Sequence, residues 1–346
     1  MSAFNFIKGT EPGAAGVRAI VQRALDLRTG ARPQMFPGSR LVGVFLNPSL
    51  RTRTSLELAC AAVGIERVCV TPGRDSWALE FEDGALMDGE AVEHVSDAVR
   101  AVSSYADLLA VRSFAKLESA AEDQADPVLS AFCRYSRVPV VNLESARFHP
   151  LQGLADTTTW MAHLGKDLTG QPLTLTWAPH PKALPAAVAQ QVVLSAALMG
   201  MDITVAHPEG FDLDPLVTQE AQQLASSQGG ALRTSNDQLA AFHGARVVVA
   251  KSWGGFSGYQ DRAGESKRRA ALSDWRVDTA KMAVTDEAGF MHCLPVRRNV
   301  VVTDEVLDGP GSWVQEEAEL RLVTTIALLE KMMQARARSG GVTWSE

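Results

Sequence analysis

Short apolar runs closed by turn residues alternate with helix-period segments along almost the whole chain, which limits it to a parallel α/β architecture. Leu41 to Leu46 reads as a buried strand that Asn47-Pro48 stops, and Leu56, Leu58, Ala59, Ala61 and Ala62 then recur at helical spacing. Further strands are expected at Glu66–Val70, Ala106–Val111 with Arg112 at its end, and Val138–Leu143, with helices near 15–29, 91–104 and 126–135. The helix near 91–104 takes Val92 as its first apolar position. A helix from Pro150 to Leu164 bridges to a second half with strands at Leu173–Trp177, Asp202–Ala206, Ala245–Ala250 and Gly289–Met291. Helices near 186–199, 213–226 and 278–282 and a long one near 315–336 complete it, and the polar, glycine-rich residues 252–268 read as a loop able to move. In open parallel sheets ligands collect at the carboxyl ends of strands, where Ser49, Arg112 and Glu144 fall.

A chain of 346 residues suggests two domains. The expected fold class is α/β: two parallel-sheet domains with helices on both faces, linked by interdomain helices, with the active site in the cleft. A formal net charge of -7 argues against a nucleic-acid binder and leaves room for a local basic pocket that takes a small anion. Cys60, Cys69 and Cys133 sit in apolar surroundings without metal-like spacing and suit a reducing compartment. The first residues, Met1 to Asn5, lack the pattern of a signal peptide, and no apolar run reaches membrane-spanning length, so the expected location is cytoplasmic, with no membrane partner.

The densest chemistry lies in Ser49-Leu50-Arg51-Thr52-Arg53-Thr54-Ser55. Ser49 is a plausible cap for the helix that follows, and the free N–H groups of a helix start favour an anion. Hydroxyls on Ser49, Thr52 and Thr54 and the guanidiniums of Arg51 and Arg53 suit a phosphate. A basic cap on a surface helix explains the two arginines poorly, because cations are unfavourable at a helix N-terminus unless an anion joins them. His149-Pro150-Leu151-Gln152 offers a hydrogen-bond donor to a polarised carbonyl, although a histidine before proline serves equally well as a turn residue. In His292-Cys293-Leu294-Pro295, Cys293 reads as a nucleophile without an evident base, a weak polar group that orients an amine, or a buried thiol; Arg297 and Arg298 add positive charge nearby. Trp77 is either a loop aromatic or a subunit contact. Glycine-rich dinucleotide and nucleotide-phosphate motifs are missing, and the seven histidines are not spaced for zinc.

Three blocks resemble the aspartate and ornithine carbamoyltransferases: Ser49 to Ser55, His149-Pro150-Leu151-Gln152 and His292-Cys293-Leu294-Pro295, in that order. Arg74-Asp75-Ser76-Trp77, Met87-Asp88-Gly89, Trp177 to Lys182, Lys251-Ser252-Trp253-Gly254 and Pro295 to Asn299 are most similar to the N-acylornithine branch, whose members use N-acetylornithine or N-succinylornithine. The resemblance implies a carbamoyl-phosphate domain over 1–148, completed by a C-terminal helix 322–340, and an acylornithine domain over 149–321. It implies a homotrimer in which Trp77 reaches a neighbouring subunit, and chemistry that needs no metal, organic cofactor or covalent intermediate. Carried over by motif, Ser49, Leu50, Arg51, Thr52, Trp77, Arg112, His149, Gln152, Cys293, Leu294 and Arg321 hold carbamoyl phosphate. Val92, Glu144, His180, Lys251, Cys293, Leu294, Pro295 and Arg297 face the acylornithine. Catalysis would fall to Arg51, Thr52, Arg112, His149, Gln152 and Cys293.

The acyl group turns on departures from the family pattern. Acetyl-specific members carry a glutamate where this chain has Val92, an asparagine at Pro185 and a lysine at Val301; succinyl-specific members carry a proline at the Val92 position. A glutamate would repel a succinyl carboxylate and Val92 would not, so the expected acceptor is N-succinyl-L-ornithine, with N-acetyl-L-ornithine the alternative, in arginine biosynthesis.

Overall fold

The structure is a computed structural model that describes residues 4–338. Met1 to Ala3, and the last two residues of the C-terminal helix expected over 322–340, lie outside the described residues. The chain forms two compact units. The first runs to Lys116, resumes over Ala121–Leu151 and returns from Arg321; the second comprises Leu117–Ala120 and Gln152–Leu320.

The first unit holds strands β1 (Arg40–Phe45), β2 (Glu66–Val70), β3 (Leu79–Glu80), β4 (Glu93–His94), β5 (Leu108–Arg112) and β6 (Val140–Glu144). Its main sheet is wholly parallel in the order β2-β1-β5-β6, and β3 pairs with β4 apart from it. The two inner strands are short apolar runs, as a sheet covered on both faces requires. Helices α1 (Gly13–Arg28), α2 (Arg51–Ala62), α3 (Val95–Ser103), α4 (Ala120–Ala125) and α5 (Pro127–Tyr135) accompany them. Val99, Leu129, Phe132, Val111 and Val140 share one core between α3, α5 and the sheet.

In the second unit, β7 (Pro172–Trp177), β8 (Asp202–Ala206), β9 (Ala231–Ser235), β10 (Val247–Lys251) and β11 (Gly289–Met291) make a parallel sheet ordered β11-β10-β7-β8-β9. Its helices are α7 (Ala187–Leu198), α8 (Pro215–Ser227), α9 (Gln238–Phe242), α10 (Arg262–Ala270), α11 (Thr279–Met282) and α12 (Asp304–Leu307). Every residue of α7 is buried, in keeping with a sequence that is apolar all round except for Gln190, Gln191 and Ser195 and carries no charge. Two long helices, α6 (Pro150–Leu164) and α13 (Val314–Arg338), carry the chain from one unit into the other. Among the described residues no helix is long and apolar enough to cross a membrane.

Several expectations need correction. Val92 is not a helix position: it precedes β4 and is 70% exposed, and α3 starts at Val95 behind His94, whose ring accepts from the Ser96 N–H. Residues 252–268 are not one loop. A short 3-10 turn, Phe256–Tyr259, leads into α10, which Asp261 caps by accepting from the Gly264 N–H at 2.8 Å. Glu265 and Arg269, one turn apart on α10, form a buried ion pair within it. The edge strand β9 escaped sequence reading because Ala-Leu-Arg-Thr-Ser is mostly exposed and has no apolar run.

Candidate active site

In the first unit, strand ends and a helix start bring cationic groups together. The Leu46 N–H donates to the Arg112 carbonyl, and Asn47 Oδ1 accepts from the Phe114 N–H at 2.6 Å, so the ends of β1 and β5 are tied side by side. The N-cap of α2 is Leu50 and not Ser49 as expected, but Ser49 Oγ, one residue earlier, accepts from the Thr52 N–H at 3.2 Å, and no acidic residue occupies the first turn of α2. The Thr52 hydroxyl, 3% exposed, lies 3.3 Å from Arg112 Nη1 and 3.5 Å from Arg321 Nη2, each guanidinium side chain being buried. Arg112 Nη1 also donates to Glu144 Oε2 at 2.6 Å, its planar group covers the Phe114 ring at 4.6 Å, and its buried Nε has no hydrogen-bond partner among the described residues. Burial lowers the Arg112 pKa from its usual value; Glu144 works against that, and the nearby Arg51 charge adds to it. Arginine nonetheless stays protonated. Two buried guanidiniums, Arg112 and Arg321, therefore converge on the Thr52 hydroxyl at a helix start, with the Arg51 charge close to Arg112, an arrangement of donors that suits a phosphate.

Arg53 does not join them. Its Nε donates to Glu57 one turn along α2 at 2.9 Å, and its guanidinium lies against Phe45, which sets it apart from the anion role expected of both arginines. His149 is buried with Nε2 3.4 Å from the Glu144 oxygen that Arg112 engages. Trp77, 55% exposed, donates from its indole to Glu93 Oε2 at 2.7 Å, and Leu50 projects into solvent.

The second unit supplies a separate group. Gln152, in the first turn of α6, donates its amide N–H groups to two buried carboxylates, Asp156 at 2.8 Å and Glu317. Neither acid was singled out from sequence, although Asp156 stands one helical turn from Gln152, where such a bond is expected. Lys251 ends β10 directly opposite Trp177 at the end of β7. Two buried indoles fix these strand ends: Trp177 donates to the Trp253 carbonyl at 2.9 Å and Trp253 to the Phe211 carbonyl at 2.8 Å, while the Ser252 hydroxyl donates to the Ala178 carbonyl. His180 accepts from Arg297 Nε at 3.0 Å through Nε2, so the other ring nitrogen carries the proton toward the Lys182 carbonyl. Burial lowers the His180 pKa, the Lys182 carbonyl opposes this, and the charges of Arg297, Lys251 and Arg269 lower it further. The ring is thus neutral among cations, of which Arg269 is paired with Glu265 and Arg297 donates to the ring itself.

Leu294 follows Cys293 with φ 52 and joins Pro295 through a cis bond, and its N–H donates to His292 Nδ1 at 3.0 Å. Arg298 belongs elsewhere: it forms exposed pairs with Asp304 and Asp308 that raise its pKa, and so it does not supply the charge expected beside a pocket. Among the described residues no group of three or more histidine, cysteine, aspartate or glutamate side chains is placed to hold a metal.

Comparison with known proteins identifies the family. Residues 5–162 match the carbamoyl-P binding domain of aspartate/ornithine carbamoyltransferase, and residues 185–332 match the Asp/Orn binding domain. The chain is 38% identical over 335 residues to an N-acetylornithine carbamoyltransferase of Xanthomonas campestris pv. campestris, covering 96% of this chain and 98% of that protein. It is 36% identical over 296 residues to an N-succinylornithine carbamoyltransferase of Bacteroides thetaiotaomicron, covering 85% and 87%. It also superimposes with a TM-score of 0.92, at 38% identity over 95% of this chain and 99% of the other, on a crystal structure of a glutamate-to-valine mutant of N-acetyl-L-ornithine transcarbamylase complexed with carbamyl phosphate and N-succinyl-L-norvaline. This chain belongs to the aspartate/ornithine carbamoyltransferase family, on its N-acylornithine branch, and is a carbamoyltransferase.

Proposed function

We propose that the protein transfers the carbamoyl group of carbamoyl phosphate to the δ-amine of an N-acylornithine. The observation that carries the reading is the meeting of Arg112 and Arg321 on the Thr52 hydroxyl at the start of α2. The phosphate takes the N–H groups of that helix start with Ser49, Leu50, Arg51 and Thr52, joined by Arg321. The neutral δ-amine forms a bond to the carbamoyl carbon, and the tetrahedral oxygen receives hydrogen bonds from Arg112, Thr52 and His149. The bond from that carbon to the phosphate oxygen then breaks, Arg51 stabilises the leaving phosphate, and the phosphate accepts the amine proton. Gln152 and the Cys293-Leu294 segment orient the carbamoyl group and amine. Glu144, His180, Lys251, Pro295 and Arg297 receive the acylornithine, with Lys251 and Arg297 facing its carboxylate. Most of the rate enhancement comes from positioning and fixed charge.

For the acyl group, the relatives lean toward N-acetyl-L-ornithine, away from the succinyl preference expected from sequence: the acetyl enzyme aligns over more of both chains at slightly higher identity than the succinyl one. N-Succinyl-L-ornithine remains as a second reading because of Val92, which stands where acetyl-specific members carry glutamate; the glutamate-to-valine mutant of an acetyl enzyme was crystallised with a succinyl ligand. In a homotrimer, the exposed Trp77 would serve the neighbouring subunit's site. The test is a colorimetric assay for ureido product with carbamoyl phosphate and, in turn, acetylornithine, succinylornithine, ornithine and aspartate. Turnover of an acylated ornithine well above the other two is expected. Preference for free ornithine or aspartate would overturn the reading, and the ratio of the two acylated substrates decides the acyl group.

A further inference from the structure

Asp126 makes an unusual set of local choices. It precedes Pro127 at the start of α5, where an aspartate normally caps its own helix. Here it makes no side-chain cap bond, and its backbone is left-handed, at φ 47 and ψ 57. Aspartate visits that region more readily than most residues, yet it is still an uncommon conformation that persists only where the surroundings impose it. The side chain is buried, and burial pushes its carboxyl pKa upward.

What the carboxylate gains lies on another element. It accepts from the Ser145 hydroxyl and from the backbone N–H groups of Ala146 and Arg147, with the Arg147 charge nearby. These residues form the turn that joins the end of β6 at Glu144 to His149. The same turn is held from its other side by Asn142, whose amide donates to Ser145 Oγ at 3.2 Å and to the Phe148 carbonyl at 3.3 Å, while the Ser145 N–H closes the turn on that carbonyl at 2.9 Å. The single proton of the Ser145 hydroxyl goes to Asp126, which fixes the rotamer in which Ser145 Oγ accepts from the Phe148 N–H at 3.3 Å. A buried acid that forgoes its own helix cap is thus committed to the four residues that set where His149 emerges.

We propose that Asp126 is a positioning residue for carbamoyl transfer: through Ser145, Ala146 and Arg147 it fixes the turn that aims His149. This rests on the role given to His149 in the proposed function, and the test separates the two. Asp126→Asn keeps an oxygen acceptor and tolerates the left-handed backbone, Asp126→Ala keeps neither, and Ser145→Ala removes the shared proton without touching the Asp126 backbone. Leu129→Val, in the buried face of α5, serves as a control that loosens packing without touching the turn.

In the full-length enzyme, Asp126→Ala and Ser145→Ala are expected to lower kcat by about ten- to a hundred-fold with KM for either substrate within a few-fold, the scale on which small misplacements act. Asp126→Asn should recover most of the loss, and Leu129→Val should lower the melting temperature without lowering kcat. Carbon-13-labelled histidine rings give a second readout that needs no activity: the His149 resonance, assigned with His149→Gln, should shift in Asp126→Ala and Ser145→Ala while the other histidine signals stay in place. Unchanged kcat in an active parent background, or a His149 resonance unmoved by both variants, overturns the inference. A parent that carbamoylates no amine overturns the proposed function instead, and the His149 resonance then still decides whether Asp126 sets that ring.

Discussion

Arg112 Nη1 and Glu144 Oε2 lie 2.6 Å apart, and both side chains are largely shielded from water. Arg112 ends β5 and Glu144 ends β6, next to each other in the parallel sheet, and a register shift after Val111, which pairs with Asn142, skips Leu143 and sets Arg112 against Glu144. The pair fixes the guanidinium while leaving Nη1 within reach of Thr52 and Nε unsatisfied, so the cation is oriented without being consumed. A buried pair of this kind is weak evidence for stability and is better read as a device for holding a charge in one place.

Replacing Arg112 by lysine keeps the charge and loses the planar fork that spans Glu144 and Thr52. Arg112→Lys should therefore lose about 3 kcal/mol of transition-state stabilisation, roughly a hundred-fold in kcat/KM, the scale of removing one donor to a developing oxyanion. Steady-state kinetics with carbamoyl phosphate varied will show it; activity within about three-fold of the parent, well inside the loss attached to such donors, would rule out a role for guanidinium geometry.

Thr52→Val removes the hydroxyl on which Arg112 and Arg321 converge while conserving shape. Hydrogen bonds to charged groups contribute about 1.5–3 kcal/mol, so a loss of at least ten-fold in kcat/KM for carbamoyl phosphate is expected, with Thr52→Ser close to the parent. Activity of Thr52→Val close to that of the parent would rule out a role for the hydroxyl.

The parts of this site that the sequence reveals are those with local signatures. The phosphate seat at Ser49 to Thr52 is legible because strand, stop, cap and helix fall within one continuous stretch. Arg112 and Glu144 are legible because each ends an apolar run, and strand ends are where ligands gather. Arg53 differs from Arg51 in having a counter-charge, Glu57, one helical turn on, whose capture of Arg53 takes effect once α2 forms. Arg298 misled for the same reason, since Asp304 and Asp308 meet it only after the chain turns back through α12. Asp156 and Glu317 show the complementary failure: 161 residues apart in sequence, both accept from Gln152, and no spacing rule could pair them. Helix α10 was hidden because its residues are mostly charged: it has an Asp261 cap and an internal Glu265–Arg269 pair but no apolar stripe to read.

Three thiols give a pH dependence with a defined sign. Burial pushes Cys60 up to about 12 and Cys69 and Cys133 up to about 11, from an ordinary value of 9.0. Their folded-state protons are retained to higher pH than in the unfolded chain, so the stability they contribute is fully present below about pH 9 and is lost as pH rises through 11 to 12. Urea midpoints should accordingly fall across that window, and less steeply for Cys60→Ala than for the parent, a comparison that cancels the lysine and tyrosine titrations common to both. Parallel slopes would show that the Cys60 thiol plays no part.

Val92 offers the sharpest test of acyl recognition. It stands exposed in the loop before β4, so a longer polar side chain fits there without disturbing a core. Succinylornithine ends its acyl group in a carboxylate and acetylornithine does not, so a negative side chain close to that end discriminates by charge alone. Solvent screening limits the effect at an exposed position, and the ratio of kcat/KM for acetylornithine over succinylornithine is expected to rise about ten-fold in Val92→Glu. Because the discrimination is electrostatic, raising the ionic strength to about 1 M should erode most of it, while a steric cause would leave the ratio unchanged with salt. A ratio that does not move at low salt would place Val92 away from the acyl end of the substrate and remove the one observation that favours the succinyl acceptor.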